Sequence, residues 1–189
     1  PYEKQIAYKQ QHVIDAMERI GKLEFKSSEP ILPAPSNYYY RNKLEFTFSA
    51  ARWLTKDEID DGEEIKDYDA LGFHIPRKFD KIVDVKKCWL QPEPSNAIRL
   101  AVRQHAKENE LSFYNIRKEE GLLRNLIVRT SETGEIMVNV IFFYEDAEAR
   151  EGLMNMLATK FPEITSLLYV VNGKKNDTIT DQEVVLYKG

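Results

Sequence analysis

The chain has 189 residues, of which 42% are hydrophobic and 31% charged, with a formal net charge of −4 and a pI of about 5.6. This length and composition predict a globular domain, and they exclude an integral membrane protein, because no apolar run approaches the roughly 18 residues that span a bilayer. The single cysteine, Cys88, excludes an intramolecular disulfide framework and favours a cytoplasmic protein.

The N-terminal segment is predicted to be a helix followed by a linker. Hydrophobic residues recur at three- and four-residue steps over 3–20, and Gly21 stands at the stop position. Residues 25–37 contain three prolines and read as a linker or an extended crossing. The segment starts with neither Met nor an apolar signal region, which indicates a piece of a longer protein. The expected organisation is therefore a helix over 1–24, a linker over 25–37 and a main domain over 38–189.

The stretch 40–49 alternates between apolar and polar residues, which is typical of a half-buried strand. The predicted buried side carries Tyr40, Leu44, Phe46 and Phe48. The predicted polar side carries Arg41, Lys43, Glu45 and Thr47.

The remaining elements follow from the same periodicities. An acidic hairpin loop is expected over 55–68, where the spacing of the acids fails as a calcium-binding EF-hand. Further strands are predicted at 71–75, 81–85, 122–130, 136–143, 166–171 and 180–187, with a turn-rich basic loop at 172–177. Helices are predicted at 95–107, capped by Ser95 with Ile98, Leu100 and Val102 inward, and at 147–159, with Leu153, Met156 and Leu157 inward. This order predicts an α+β fold with a mainly antiparallel sheet, packed helices and an N-terminal helix.

Little in the chain points to catalysis. The glycines are isolated, so no glycine-rich turn for a nucleotide-like cofactor is present. The three histidines have no ligand-like spacing, which argues against a zinc site. The residues alone favour a buried structural thiol for Cys88; the nucleophile reading lacks an acid or base partner.

Several cations and aromatic residues are candidates for RNA contact, although the net negative charge argues against strong autonomous binding. Arg41 and Lys43 share the polar side of one strand, and Tyr39, or Tyr38 beside it, is placed to stack a base. Arg124 and Arg129 lie in the predicted 122–130 strand. For each cation the alternative to RNA contact is a position on a solvated sheet surface or in an ion pair, as between Lys43 and Glu45.

An ordered set of short motifs resembles the central portion of the 23S ribosomal-RNA uracil-5-methyltransferases and of the related transfer-RNA uracil-5-methyltransferases. The motifs are 1–5 (PYEKQ), 19–21 (RIG), 40–46 (YRNKLEF), 72–74 (GFH), 82–88 (IVDVKKC), 123–129 (LRNLIVR) and 171–178 (VNGKKNDT). Together they extend over nearly the whole chain.

The resemblance implies a parent enzyme that uses S-adenosylmethionine, with a β-barrel (TRAM-like) RNA-binding domain and a methyltransferase domain outside this chain. It implies that Cys88 is the fourth ligand of a [4Fe-4S] cluster in the parent, which favours ribosomal over transfer RNA. It also implies that the 1–24 helix packs on the catalytic domain, so that in isolation its apolar stripe is open to dimer formation. We expect the chain alone to bind neither cofactor and to be inactive. The competing hypothesis is a non-enzymatic RNA-binding or interaction module.

Overall fold

The computed structural model describes residues 1–24, 27–62 and 64–189, so that the first two residues of the predicted linker, Phe25 and Lys26, and Glu63 of the acidic loop lie outside the described residues. The chain divides into two compact units, Pro1–Tyr40 and Arg41–Gly189. No helix in the described part of the chain is long and apolar enough to cross a membrane.

The first unit contains the predicted N-terminal helix. Helix α1 covers Tyr2–Asp15 and continues into a π-helical turn at Ala16–Ile20. The later part of the unit folds back towards α1, because the Gln10 side chain donates to the Glu29 carbonyl and the Ala34 amide donates to the Tyr2 hydroxyl, at 3.1 and 2.7 Å. None of the described residues of this unit is buried.

The second unit is built on a seven-stranded sheet. Its strands are β1 (Lys43–Ser49), β2 (Ala70–Ile75), β3 (Lys78–Asp84), β4 (Leu123–Thr130), β5 (Ile136–Phe142), β6 (Ser166–Val171) and β7 (Val185–Lys188). Their spatial order is β3-β2-β1-β4-β5-β6-β7, and every neighbouring pair is antiparallel except β5–β6. The predicted α+β class with a mainly antiparallel sheet is confirmed.

Two long helices cover one face of the sheet. Helix α3 (Ser95–Glu108) follows β3, and α4 (Ala147–Lys160) connects the parallel pair β5 and β6, as a parallel crossover requires. The core joins the inward side of β1 to both helices; it includes Leu44, Phe46, Phe48, Ile98, Val102, Leu153 and Leu157. Period-two alternation along β1 therefore predicted the correct buried face.

The structure corrects the start of β1. The strand begins at Lys43, and Tyr40 is exposed rather than buried. The Arg41 amide donates to the Leu90 carbonyl at 2.8 Å, so this part of the chain pairs with the segment before α3 and not with the ladder of the sheet.

Corrections also apply to the helices and to β7. The 55–68 segment contains a short helix, α2 (Lys56–Asp60), capped by reciprocal bonds between Thr55 and Glu58. In α3, Leu100 is exposed, and Ser95 does not cap the helix because its hydroxyl donates to Gln91. In α4, Met154 is fully buried, and the predicted Met156 is only partly buried.

The last strand is shorter than predicted over 180–187. Residues before β7 turn over the sheet instead of extending it: Ile179 packs on Ile127, Ile141 and Val170. The Gln182 amide bonds to the Ile179 carbonyl and closes this turn. Only Val185–Lys188 then pairs with β6.

Candidate nucleic-acid interface

The face of the sheet opposite α3 and α4, here called the open face, carries both polar and apolar side chains on its central strands and is covered in part by Ile179. Successive strand residues point to opposite sides, so the register of β1, β4 and β5 defines this face. It is formed by Lys43, Glu45, Thr47, Asn125, Ile127, Arg129, Met137, Asn139 and Ile141.

Two cations lie opposite each other at one end of the open face. Lys43 on β1 is the register partner of Arg129 on β4, and both are exposed. Directly opposed residues in an antiparallel pair have Cβ atoms about 4.5–5.5 Å apart, a distance at which like charges repel. Glu45 lies 3.5 Å from the Lys43 ammonium group and neutralises one of the two charges. The pair is therefore a candidate anion-binding site on a surface that otherwise carries both polar and apolar side chains.

A groove of about 600 Å³ runs beside these cations. Its polar lining includes Lys43, Arg129 and Asn139 together with the carboxylates Glu45 and Asp177, and its apolar lining includes Ile127, Ile141, Leu168 and Ile179. The Asn139 side-chain oxygen is buried and has no hydrogen-bond partner among the residues that the structure describes. A buried polar atom without a partner is uncommon in native structures, and here it lies in the wall of a groove beside two positive charges.

Arg124, a candidate for RNA contact with a sheet surface or an ion pair as the alternative, lies in the protein interior. Its side chain is buried, and its guanidinium donates to four main-chain carbonyls, those of Asn172, Lys174, Lys175 and Asn176, at 2.6–3.3 Å. Burial lowers the pKa of Arg124, while Tyr114 and Asp177 act in the opposite direction. Arg124 thus organises the basic 172–177 loop, and it does not present its charge on the protein surface.

Asn172 completes this loop. It is fully buried, and its side-chain amide donates to the carbonyls of Asn176 and Thr178 at 3.2 and 3.3 Å. Sequence reasoning identified the loop by its turn residues and missed both of its anchors. An arginine between leucines near the start of a largely apolar strand was the available signal, because such a residue is buried only where acceptors surround it.

Cys88 lies in the core, at the start of α3. Its main-chain amide and carbonyl are both held by the Asn96 side chain, at 2.9 and 3.0 Å. The fully buried Arg99 guanidinium donates to the Lys86 carbonyl at 3.1 Å and to Asn96 at 3.3 Å. Burial lowers the pKa of Arg99, and the charge of Asp84 opposes that shift. Cys88 stands out in the sequence as the single cysteine, whereas nothing in the sequence distinguishes Asn96 and Arg99.

The residues present do not by themselves fit a [4Fe-4S] cluster. Within residues 1–24, 27–62 and 64–189, no group of three or more His, Cys, Asp or Glu side chains could hold a metal ion. Cys88 supplies at most one thiolate, whereas a cubane cluster is normally held by four.

Of the five candidate RNA contacts, the structure brings together Lys43 and Arg129. Tyr39 belongs to the first unit, where it has a positive φ of 59° and lies beside Tyr38 with ring centroids 6.4 Å apart. Arg41 is exposed but precedes β1 and so does not share the face of Lys43.

His74 adds a further polar group to the open face. Its ring nitrogen lies 3.3 Å from the hydroxyl of Thr47, across the β1–β2 ladder. This contact gives His74 a hydrogen-bonding partner within the sheet.

The chain is similar in sequence to portions of longer proteins that are named as RNA methyltransferases. No family model matches the chain. It is 53% identical over 192 residues to an uncharacterized RNA methyltransferase of Bacteroides thetaiotaomicron, and 50% identical over 196 residues to one of Porphyromonas gingivalis; both alignments cover 100% of this chain and 42% of the relative. An uncharacterized RNA methyltransferase of Chlorobaculum tepidum is 37% identical over 100% of this chain and 40% of its own length. The chain thus spans about two fifths of the relatives it matches.

A solved structure shares the fold. It is the Pyrococcus abyssi tRNA (uracil-54, C5)-methyltransferase in complex with S-adenosyl-L-homocysteine, which matches 100% of this chain and 39% of that chain with a TM-score of 0.65 and 24% sequence identity.

Proposed function

We propose that this chain is the RNA-contacting portion of an S-adenosylmethionine-dependent RNA methyltransferase that acts on C5 of uracil. The observation that carries the proposal is the opposed pair Lys43 and Arg129 on the open face, beside a groove with an unpartnered Asn139 oxygen. A phosphate bound between the two cations would relieve their repulsion, and the groove would hold the adjoining nucleotide. The names of the relatives support RNA as the ligand.

In this proposal the residues of the chain bind and orient RNA, and the methyl transfer occurs elsewhere in the parent. Attack on C6 of uracil needs an accessible thiolate, but Cys88 is buried and held by Asn96. S-adenosylmethionine would supply the methyl group. We expect calorimetric titration of the chain with S-adenosylmethionine to show no binding; stoichiometric binding would place a donor site within these residues and refute this division of roles.

The RNA-binding part of the proposal is tested by the salt dependence of affinity for a uridine-containing RNA hairpin. Each phosphate contact contributes about 0.7 to the slope of log affinity against log salt for single strands. The two cations share one phosphate in this proposal, so the Lys43→Ala, Arg129→Ala double variant should flatten the slope by about 0.7. A matched control is Lys56→Ala, Lys160→Ala, which removes two exposed cations on α2 and at the end of α4. Equal slopes for both variants would contradict the proposal.

Ribosomal RNA is the substrate that we propose, with Cys88 contributing one ligand to a [4Fe-4S] cluster whose other ligands lie outside this chain. In the longer parent protein, Cys88→Ala should then lower the iron content without preventing folding. Transfer RNA is the second candidate, because the Pyrococcus abyssi structure of the same fold is of a tRNA-modifying enzyme. Methylation assays of the parent on both RNAs separate the two, and iron retained by the variant would remove the role of Cys88.

A further inference from the structure

A second cavity, of about 670 Å³, lies towards the β2–β3 end of the open face. It is enclosed by the β2–β3 turn, by residues 114–116 and by the 175–177 loop that Arg124 holds. Its lining combines flat apolar groups with a few polar ones; among them are Thr47, His74, Phe79, Tyr114, Ile116 and Asn125.

Tyr114, which lines the cavity, carries a buried hydroxyl group. The preceding residue, Phe113, packs in the core against Phe48, and Tyr114 lines the cavity. Its ring is fixed by Phe143, with centroids 4.8 Å apart, and by the Arg124 guanidinium at 4.9 Å. The side chain is 5% exposed, and its hydroxyl has no hydrogen-bond partner in the described part of the chain. Buried tyrosine hydroxyls usually find a partner, so phenylalanine would suit a purely structural role better.

Phe79 displays an aromatic ring at the same cavity. It is 60% exposed, although a large apolar side chain gains nothing from water. The Arg117 guanidinium lies 5.2 Å from its ring centroid and is itself paired with Asp80, so the ring is held in one orientation. Arg77 and Lys78 in the adjoining turn add two exposed positive charges to the lining.

The lining also carries two carboxylates. Hydrogen bonding to Arg117 outweighs partial burial and keeps the pKa of Asp80 below its ordinary value, and Asp177 lies beside Lys175 and Asn176. Asp80 is thus already neutralised by a cation, and Lys175 is paired with Glu119. Arg77 and Lys78 remain to favour an anionic ligand at the turn.

We propose that this cavity receives one unstacked base of a single-stranded RNA, an inference that rests on the proposed function. Proteins read single-stranded RNA by splaying bases out, stacking them on aromatic rings and bonding their edges. Phe79 is the stacking surface, the Tyr114 hydroxyl bonds to the edge of the base, and Arg77 and Lys78 contact the flanking phosphates.

The test measures binding of a short single-stranded RNA oligonucleotide to the full chain by fluorescence anisotropy. Phe79→Ala should weaken binding about tenfold or more, through lost stacking, and Tyr114→Phe about threefold to tenfold. The matched controls are Tyr68→Ala, a half-exposed aromatic residue outside the cavity, and Tyr187→Phe, whose hydroxyl bonds to Glu151 and Asn155. Both controls should bind RNA as the unaltered chain does.

Thermal unfolding provides a second readout. Tyr114→Phe removes a polar group that lacks a partner, so the variant should melt at the same temperature as the unaltered chain or higher while binding RNA more weakly. Lower melting temperature with unchanged RNA binding would assign the hydroxyl a structural role and overturn the proposal.

Further measurements distinguish RNA from free nucleotides as the ligand, and the cavity proposal from the proposed phosphate contact on the open face. Uridine and adenosine monophosphates should bind far more weakly than the oligonucleotide; equal affinity would overturn RNA as the source and indicate a free-nucleotide site. Phe79→Ala and Tyr114→Phe should leave the salt slope intact. The cavity proposal fails if Phe79→Ala and Tyr114→Phe bind RNA normally. If Lys43→Ala, Arg129→Ala still flattens the salt slope in that case, the proposed phosphate contact on the open face stands. If all these variants bind RNA normally with an unchanged salt slope, both proposals fail.

Discussion

The conformation of the basic 172–177 loop depends on Arg124. Arg124→Lys replaces a planar fork that serves four carbonyls with an ammonium group that has three donors, and it leaves buried acceptors without partners. We expect a loss of about 2–4 kcal/mol in the free energy of unfolding, measured by urea titration. The matched control, Arg129→Lys on the exposed face of the same strand, should change it by less than about 0.5 kcal/mol. Equal effects would show that the carbonyl contacts contribute little.

Substitutions at Gly121 and Gly134 distinguish the free-energy cost of a steric clash from that of backbone strain. Both have positive φ, 108° and 98°, but a Cβ at Gly121 would lie 2.3 Å from the Phe113 carbonyl oxygen, whereas one at Gly134 would meet nothing within 4 Å. Gly134→Ala should cost about 1–2 kcal/mol through strain alone. Gly121→Ala should cost about 2 kcal/mol more, because main-chain atoms must move. Similar melting temperatures for the two variants would contradict this assignment.

Helix α3 is joined to the segment before β2 by a cluster of charges. Arg103 contacts Asp67 and Asp84, and Lys107 contacts Asp67 and Asp69, at 2.8–3.3 Å. Burial works to raise the pKa of the Asp67 carboxyl, but hydrogen bonds from Lys107 and the Asp69 amide and the charges of both cations outweigh it, and the pKa lies below its ordinary value.

This charge cluster predicts that the free energy of unfolding depends on pH in the acidic range. Because the folded-state pKa of Asp67 is depressed, its contribution is fully present above its unfolded value of about 3.9 and is lost as the pH falls through the lower folded value. Asp67→Asn should therefore destabilise the protein near neutral pH and make no difference at the lowest pH. The effect should stay below about 1 kcal/mol, because the Asp67 side chain is 44% exposed. Urea midpoints measured over this pH range test this prediction, with Asp61→Asn, just after α2, as the control; a difference between Asp67→Asn and the unaltered chain that persists at low pH would refute it.

The second unit should fold without the first. Residues Arg41–Gly189 contain every buried hydrophobic residue that the structure describes, and no described residue of Pro1–Tyr40 is buried. A chain that begins at Arg41 should therefore keep a cooperative unfolding transition near that of the full chain.

The apolar side of α1 predicts a difference in association. Val13, Met17 and Ile20 are 57%, 43% and 83% exposed, and helices usually cover such stripes in a partner. We expect the full chain to self-associate in sedimentation experiments and the 41–189 chain to remain monomeric. Val13→Lys, Ile20→Lys should abolish association in the full chain; association that survives this change would place the contact elsewhere.

The sequence by itself determined the secondary structure that local periodicity controls. Alternation in β1 identified Leu44, Phe46 and Phe48 as buried, and the apolar runs with a turn between them predicted the β4–β5 hairpin. These inferences succeeded because side-chain direction in a strand depends only on the parity of its position. The start of β1 and the end of the 180–187 strand were wrong, because partners distant in sequence, Leu90 and the Ile127 cluster, draw those residues away from the ladder.

The candidate sites were decided by the tertiary structure. Lys43 was visible as a polar-face cation, but only the register of β1 against β4 sets it beside Arg129 and leaves Arg41 outside the strand. The burial of Arg124 and the isolation of the Tyr114 hydroxyl depend on acceptors, or their absence, in segments far along the chain. Local sequence encodes which way a side chain points; what it meets there follows from long-range pairing and packing, which no window of neighbouring residues contains.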